Sequence, residues 1–254
     1  MKLAYREFGA GKPLIILHGL FGQSDNWNTL AKNFAEMGFH VFTLDQRNHG
    51  LSPHSDEWNY DVMADDLFEF IQDHHLIEPV LLGHSMGAKT VLFFENKYPH
   101  VASKLIIADM AAGAYPAHHQ TVLAALHAVN FDEAKTRKEA EAAMNSLLED
   151  FGTKQFLLKN IYWKENERMD WRFNLDVISR LYDEIRVAAP MFTSPVKTLL
   201  ITGANSNYVN EEDKKDFQSR FSTIEMVSIS GAGHWVHAEK PKEFFETVLG
   251  FITN

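Results

Sequence analysis

Val80-Leu81-Leu82-Gly83-His84-Ser85-Met86-Gly87, followed by a helix-compatible run over residues 88–97, decides how this chain folds. A short apolar run that ends in a glycine-flanked polar cluster reads as a buried strand, and the spacing after it reads as a helix. Between them the residues fit G-x-S-x-G, a sharp strand-to-helix turn whose small flanking residues let it expose the serine oxygen. Ser85 is therefore the candidate nucleophile. Its hydroxyl is not ionised at neutral pH, so it requires a base within hydrogen-bond reach and donors for the oxyanion it creates.

Outward from this turn the same pattern repeats. Apolar runs at 14–17, 41–44, 105–108, 198–202 and 225–229 each end in glycine or polar residues, and helical spacing occupies 27–37, 60–73, 211–221 and 241–252. Alternating strands and helices predict an α/β fold with a mostly parallel sheet covered on both faces. In such sheets ligands bind beyond the carboxyl ends of the strands, so the strand-end clusters converge on one edge. Residues 114–192 interrupt the alternation with helical patterning at 122–130, 136–151 and 175–188 and no clear strand. That length exceeds a simple connection. It predicts a helical cap, 114–192, inserted into a core made of 1–113 and 193–254.

The strand-end clusters supply the other groups that Ser85 needs. His18-Gly19-Leu20-Phe21-Gly22 follows the first run, and the amides of Leu20 and Met86 are the expected oxyanion donors. His18 reads as a structural group beneath that loop. Of thirteen histidines, His234 stands apart, because Gly231-Ala232-Gly233 permits a turn that returns its imidazole to the sheet edge. His234 is the expected base. His237 is its local competitor, with packing beside Trp235 as its simpler role. His74-His75 and His118-His119 have no carboxylates at metal-ligand spacing and no H-E-x-x-H occurs, so no metal or cofactor is expected.

Composition narrows the function classes. The chain has 254 residues, 45% hydrophobic, with 34 acidic against 24 basic side chains and a formal charge of −10, which disfavours nucleic acid and anionic lipid surfaces as partners. It contains no cysteine, which excludes disulfides, thiolate metal sites and a cysteine nucleophile. Early charges at Lys2, Arg6 and Glu7 argue against an export signal, and no apolar run approaches the ~20 residues that span a bilayer. A cytoplasmic protein is expected; oligomeric state is not legible.

Taken together, HG after the first strand, Asp45-Gln46-Arg47-Asn48-His49-Gly50-Leu51-Ser52, GHSMG and GAGHW resemble the α/β-hydrolase superfamily over essentially the whole chain. HGLFG, RNHGLSP, Trp171-Arg172-Phe173-Asn174, Gly203-Ala204-Asn205-Ser206-Asn207-Tyr208-Val209 and GAGHWVHAEKP are similar to the bacterial YbfF-type esterases, themselves similar to a mitochondrial abhydrolase branch. The resemblance implies a serine hydrolase of short-chain acyl esters, with acyl-CoA thioesters as further substrates, and a small helical cap.

One departure concerns the acid. Most of the superfamily carries an Asp about three residues after the glycine that ends the strand before the histidine strand; here the glycine is Gly203 and that position holds Ser206. Asp109, ending the preceding strand at the same edge, is the expected replacement, able to accept the imidazole N–H and stabilise the imidazolium. Ser206 is expected as an auxiliary hydrogen-bond partner or a second acceptor. Asp213 reads as a solvated helix residue. Asp45 reads as part of an ion pair or hydrogen-bonded turn with Arg47, and as a minor alternative acid.

Phe21, Trp163, Trp171 and Trp235 are the candidate substrate-binding residues, with Phe151, Phe156, Tyr162 and Phe173 as further cap aromatics. Arg172 reads as a cap-to-core salt bridge or a contact for an anionic substrate. Two other classes fit the same residues: a carbon–carbon bond hydrolase or lyase, and a ligand-binding member without turnover. Dehalogenase chemistry is disfavoured, because it requires a carboxylate where Ser85 stands.

Overall fold

A computed structural model describes residues 1–164 and 168–254. The sheet is built from β1 (Tyr5–Phe8), β2 (Lys12–Leu17), β3 (Phe39–Leu44), β4 (Val80–His84), β5 (Lys104–Ala108), β8 (Lys197–Gly203) and β9 (Ile224–Ile229), in the spatial order β1-β3-β2-β4-β5-β8-β9. Only β1 runs antiparallel, against β3; the other pairings are parallel. Helices α1 (Asn28–Glu36), α2 (Tyr60–Asp73), α3 (Met86–Lys97), α8 (Glu211–Arg220), α9 (Val236–Glu239) and α10 (Pro241–Thr253) complete the core.

The central strands are continuous apolar runs because both of their faces are covered. Period-two alternation divides their side chains between the two layers. Leu14, Ile16, Leu82, Ile106 and Leu199 pack with α1 and α10, whereas Ile15, Leu17, Leu81, Ile107 and Leu200 pack with α2 and α3. The edges read differently. β1 exposes its first three residues and carries no apolar run, so no strand is legible there, and β9 buries fully only Ile229.

Between β5 and β8 lie α4 (Gln120–His127), α5 (Arg137–Met144), α6 (Phe151–Leu158), β6 (Ile161–Trp163), β7 (Met169–Trp171) and α7 (Leu175–Arg180). The antiparallel β6–β7 pair corrects the expectation that this excursion contains no strand; three residues per strand are too few to show alternation. The helical pattern over 136–151 also divides. Thr136 and Glu139 form a capping box that starts α5, and Asp150 accepts the Thr153 N–H at 2.5 Å and starts α6. Among the described residues no helix is long and apolar enough to cross a membrane.

Register positions the site. Gly83 pairs with Ile107 and His84 with Ala108, while Ala108 pairs with Ile201. Ser85 and Asp109 therefore leave adjoining strands at one level, beside Thr202 near the end of β8.

Candidate active site

Ser85 sits at φ 53°, ψ −117°, a left-handed conformation that is uncommon for a residue with a side chain. Its surroundings hold it there. The Ser85 N–H donates to the Ala108 carbonyl at 3.0 Å, and the Ser85 carbonyl accepts from the Lys89 N–H at 3.1 Å. Both flanking glycines are required by space: a Cβ on Gly83 would lie 2.2 Å from the Gly87 carbonyl oxygen, and one on Gly87 would lie 2.5 Å from that of Leu17.

His234 Nε2 lies 3.0 Å from Ser85 Oγ, and His234 Nδ1 lies 2.7 Å from Asp109 Oδ2. With a carboxylate on one side, the Nδ1–H donates to Asp109, which leaves Nε2 to accept the Ser85 proton. Asp109 is fully buried, with φ 50°, and its N–H is fixed to the Ile201 carbonyl at 2.8 Å. Its Oδ1 accepts the Gly203 N–H at 3.0 Å, and its Oδ2 also accepts the Ser206 hydroxyl at 2.5 Å. Three donors thus converge on one buried carboxylate, which satisfies its charge. Ser206 touches the carboxylate, not the imidazole: of its two expected roles, auxiliary hydrogen-bond partner or second acceptor, it holds the first, as a donor to Asp109.

The His234 loop is held from behind. His84 Nε2–H donates to the His234 carbonyl at 2.9 Å, and Tyr208 stacks on the imidazole with centroids 3.7 Å apart and planes at 14°. Burial pushes His84 well below the ordinary histidine value, so it stays neutral. Neither residue stood out in the sequence. His84 is the first variable position of G-x-S-x-G, and Tyr208 lies two residues past Ser206, whose Oγ accepts the Tyr208 N–H at 3.3 Å.

Leu20 and Met86 flank the nucleophile. A Cβ on Gly19 would lie 3.1 Å from Ser85 Cβ, so the Gly19–Leu20 backbone runs directly against the serine, while Met86 opens α3. Among the described residues neither the Leu20 nor the Met86 amide donates to a backbone carbonyl. The Met86 amide, in the first turn of α3, is free in this way to bind negative charge.

His18 is buried and lowered to about 4 by desolvation; Nδ1–H donates to the Gly19 carbonyl at 2.8 Å and Nε2 accepts the Gln46 N–H at 3.0 Å. It has no free nitrogen for catalysis. His237, lowered by burial to about 3, is a packing histidine, stacked on Trp27 at 4.1 Å. Asp45 accepts from the Ser24 and Leu51 amides at 2.6 and 2.9 Å, the hydrogen-bonded turn alternative. Arg47 instead pairs with Asp66, at 2.6 and 2.8 Å. Asp213 closes the Asn210 capping box at the start of α8.

A cleft of about 920 Å³ opens over Ser85, with Leu20, His119, Phe156, His234 and Trp235 among its lining. Phe21 also lines it, with its ring 5.0 Å from that of Phe173. Two expected lining residues lie elsewhere. Trp163 is 59% exposed on β6, and Trp171 is buried, stacked on Phe173 at 5.3 Å and beside a separate hollow of about 370 Å³. Each sits on the three-residue β6–β7 pair, which carries them away from the strand ends. Arg172 lies over the Tyr162 ring, 5.0 Å from its centroid. Among the described residues no group of three histidines or acids is placed to hold a metal ion.

A serine hydroxyl bonded to an imidazole that is bonded to a buried carboxylate, all beneath an open cleft, is an arrangement suited to acyl transfer. Comparison with known proteins agrees. Residues 12–156 match the family model described as the alpha/beta hydrolase fold. Esterase YbfF of Escherichia coli is 35% identical over 245 residues, covering 95% of this chain and 93% of its own. The sn-1-specific diacylglycerol lipase ABHD11 of Mus musculus is 36% identical over 248 residues, covering 94% and 80% respectively. Among solved structures, a marine microorganism esterase superposes with a TM-score of 0.95 at 39% identity, covering 98% of this chain and 99% of that one. The chain belongs to the α/β-hydrolase family. Within it, it is an esterase/lipase-type member.

Proposed function

We propose that this chain hydrolyses short-chain acyl esters of small molecules, with acyl-CoA thioesters as further substrates, through an acyl-enzyme on Ser85. The observation that carries the reading is the continuous Ser85–His234–Asp109 chain, with bonds of 3.0 and 2.7 Å. Ser85 Oγ attacks the ester carbonyl while its proton passes to His234 Nε2. The Leu20 and Met86 amides receive the charge on the carbonyl oxygen. Collapse expels the alcohol or thiol, which takes the proton from His234, and water activated by the same nitrogen then releases the acid. Asp109 orients the ring and stabilises the imidazolium. Ser206 holds Asp109 in place.

Residues 114–192 act as the cap, whose Phe156 and His119 line the cleft together with Trp235 and Ser85. The Phe156 and Trp235 rings, 5.7 Å apart, make an apolar wall suited to an acyl chain. The test is kcat/KM for p-nitrophenyl esters of increasing length and for acyl-CoA thioesters, in wild type and Ser85→Ala. Turnover that peaks at short chains and vanishes in the variant supports the reading. A folded enzyme that turns over no ester or thioester refutes it.

A further inference from the structure

Lys89 belongs to α3, one turn beyond Ser85, and its side chain is fully buried. Lysine is almost never found so deep without a carboxylate partner. Here the ammonium meets three backbone carbonyls instead: Ala112 at 3.2 Å, Gly113 at 2.5 Å and Val187 at 3.1 Å. Its three hydrogens are thereby matched one to one. The Tyr115 ring lies against it, 5.4 Å from Nζ to centroid.

The identity of those carbonyls matters. Ala112 and Gly113 lie where the chain leaves the sheet after Asp109, and Val187 lies where the 114–192 excursion returns. The two segments also bond each other, Tyr115 N–H to the Arg186 carbonyl at 3.1 Å and Ala189 N–H to that of Ala112 at 2.8 Å. These segments form a neck. Through its three bonds Lys89 joins both segments to the helix that starts at the nucleophile.

We propose that Lys89 is a positioning residue, an ammonium clamp that fixes the neck of the 114–192 excursion against α3 and so sets how that excursion stands over the cleft. The neutral amine has two hydrogens and a lone pair, so one of the three carbonyls loses its donor and the neck loosens. Burial lowers Lys89 from 10.5 to about 7. The groups facing it are Tyr115 from the neck and, from α8, Arg220, which disfavours its charge, with Asp213 and Asp216, which favour it. Arg186, beside Val187, is turned to Asp183 and the Tyr182 ring. The clamp therefore weakens as pH rises through the neutral range.

Amide hydrogen exchange of Tyr115 and Ala189, normalised to core amides of β5, tests this without reference to catalysis. In Lys89→Met the two neck amides exchange roughly tenfold faster, and in wild type their normalised exchange accelerates as pH passes about 7. Neck exchange that is unchanged in the variant and flat with pH in wild type overturns the clamp; should the variant not fold, the wild-type pH series alone decides. A kinetic arm rests on the esterase reading: in Lys89→Met, KM for a long p-nitrophenyl ester rises about tenfold while kcat for the acetate stays within about twofold. Equal loss of kcat on both esters, with normal neck exchange, overturns the positioning role. Absence of turnover in wild type bears on the esterase reading alone.

Discussion

Asp109→Asn preserves the shape of the side chain and removes its charge, and the structure dictates which way the new amide points. Oδ1 must remain an acceptor, because the Gly203 N–H points at it from 3.0 Å. The amide NH2 therefore takes the Oδ2 position, facing His234 Nδ1 and Ser206 Oγ. A donor there requires Nδ1 to accept, which moves the ring proton to Nε2, and that nitrogen can no longer take the proton of Ser85. The variant thus loses both the base and the charge that stabilises the imidazolium. In a serine–histidine–carboxylate triad this change costs about 10⁴ in kcat, or about 5 kcal/mol. The assay is kcat/KM on a short p-nitrophenyl ester, with circular dichroism to establish folding. A folded Asp109→Asn enzyme within about tenfold of wild type would refute the assignment of Asp109 as the acid.

Ser206→Ala removes a charge-assisted bond to Asp109 that is present before and during attack, so kcat/KM falls by no more than about tenfold; a larger loss would make Ser206 a primary catalytic group. Trp235→Ala raises KM for longer acyl esters several-fold, whereas Trp163→Ala, out on β6, leaves the kinetics unchanged; equal effects from both would contradict the position of the cleft. Stability depends on acid for a definite reason. His18, His49 and His237 are lowered from 6.5 to about 4, 3 and 3, chiefly by burial, so the unfolded chain binds more protons than the folded one below 6.5. Stability present above pH 6.5 is lost as pH falls toward 4, by at most roughly 3 kcal/mol for His18. Urea midpoints that stay constant over that interval would contradict the neutral, buried state of these rings.

Much of this architecture was legible because the central strands are apolar on both faces and end in glycine clusters. Residues 80–88 showed strand, turn and helix together, and the parallel register then forced Ser85 and Asp109 to neighbouring strand ends. Edge strand β1 and the β6–β7 pair were not legible, since four residues with the first three exposed, or three per strand, carry no period that distinguishes them from loop. The aromatics of residues 114–192 failed for a related reason. Hydrophobicity marked Trp163 and Trp171 for burial or binding, but only the local hairpin decides which way they face. Ser206 was found by its offset from Gly203, yet its partner is a carboxylate from β5, beside β8 in the sheet but far away along the chain. Tyr208 and Lys89 were missed because stacking on a ring and bonding to backbone carbonyls leave no residue pattern.

The central claim is that Ser85 is an activated nucleophile. Intact-mass analysis after treatment with a fluorophosphonate, with peptide mapping of the adduct, tests it most directly. A single adduct on Ser85 is expected, absent in Ser85→Ala and formed far more slowly in Asp109→Asn. A folded protein that takes no adduct, or takes it on another residue while Ser85 stays free, would contradict it.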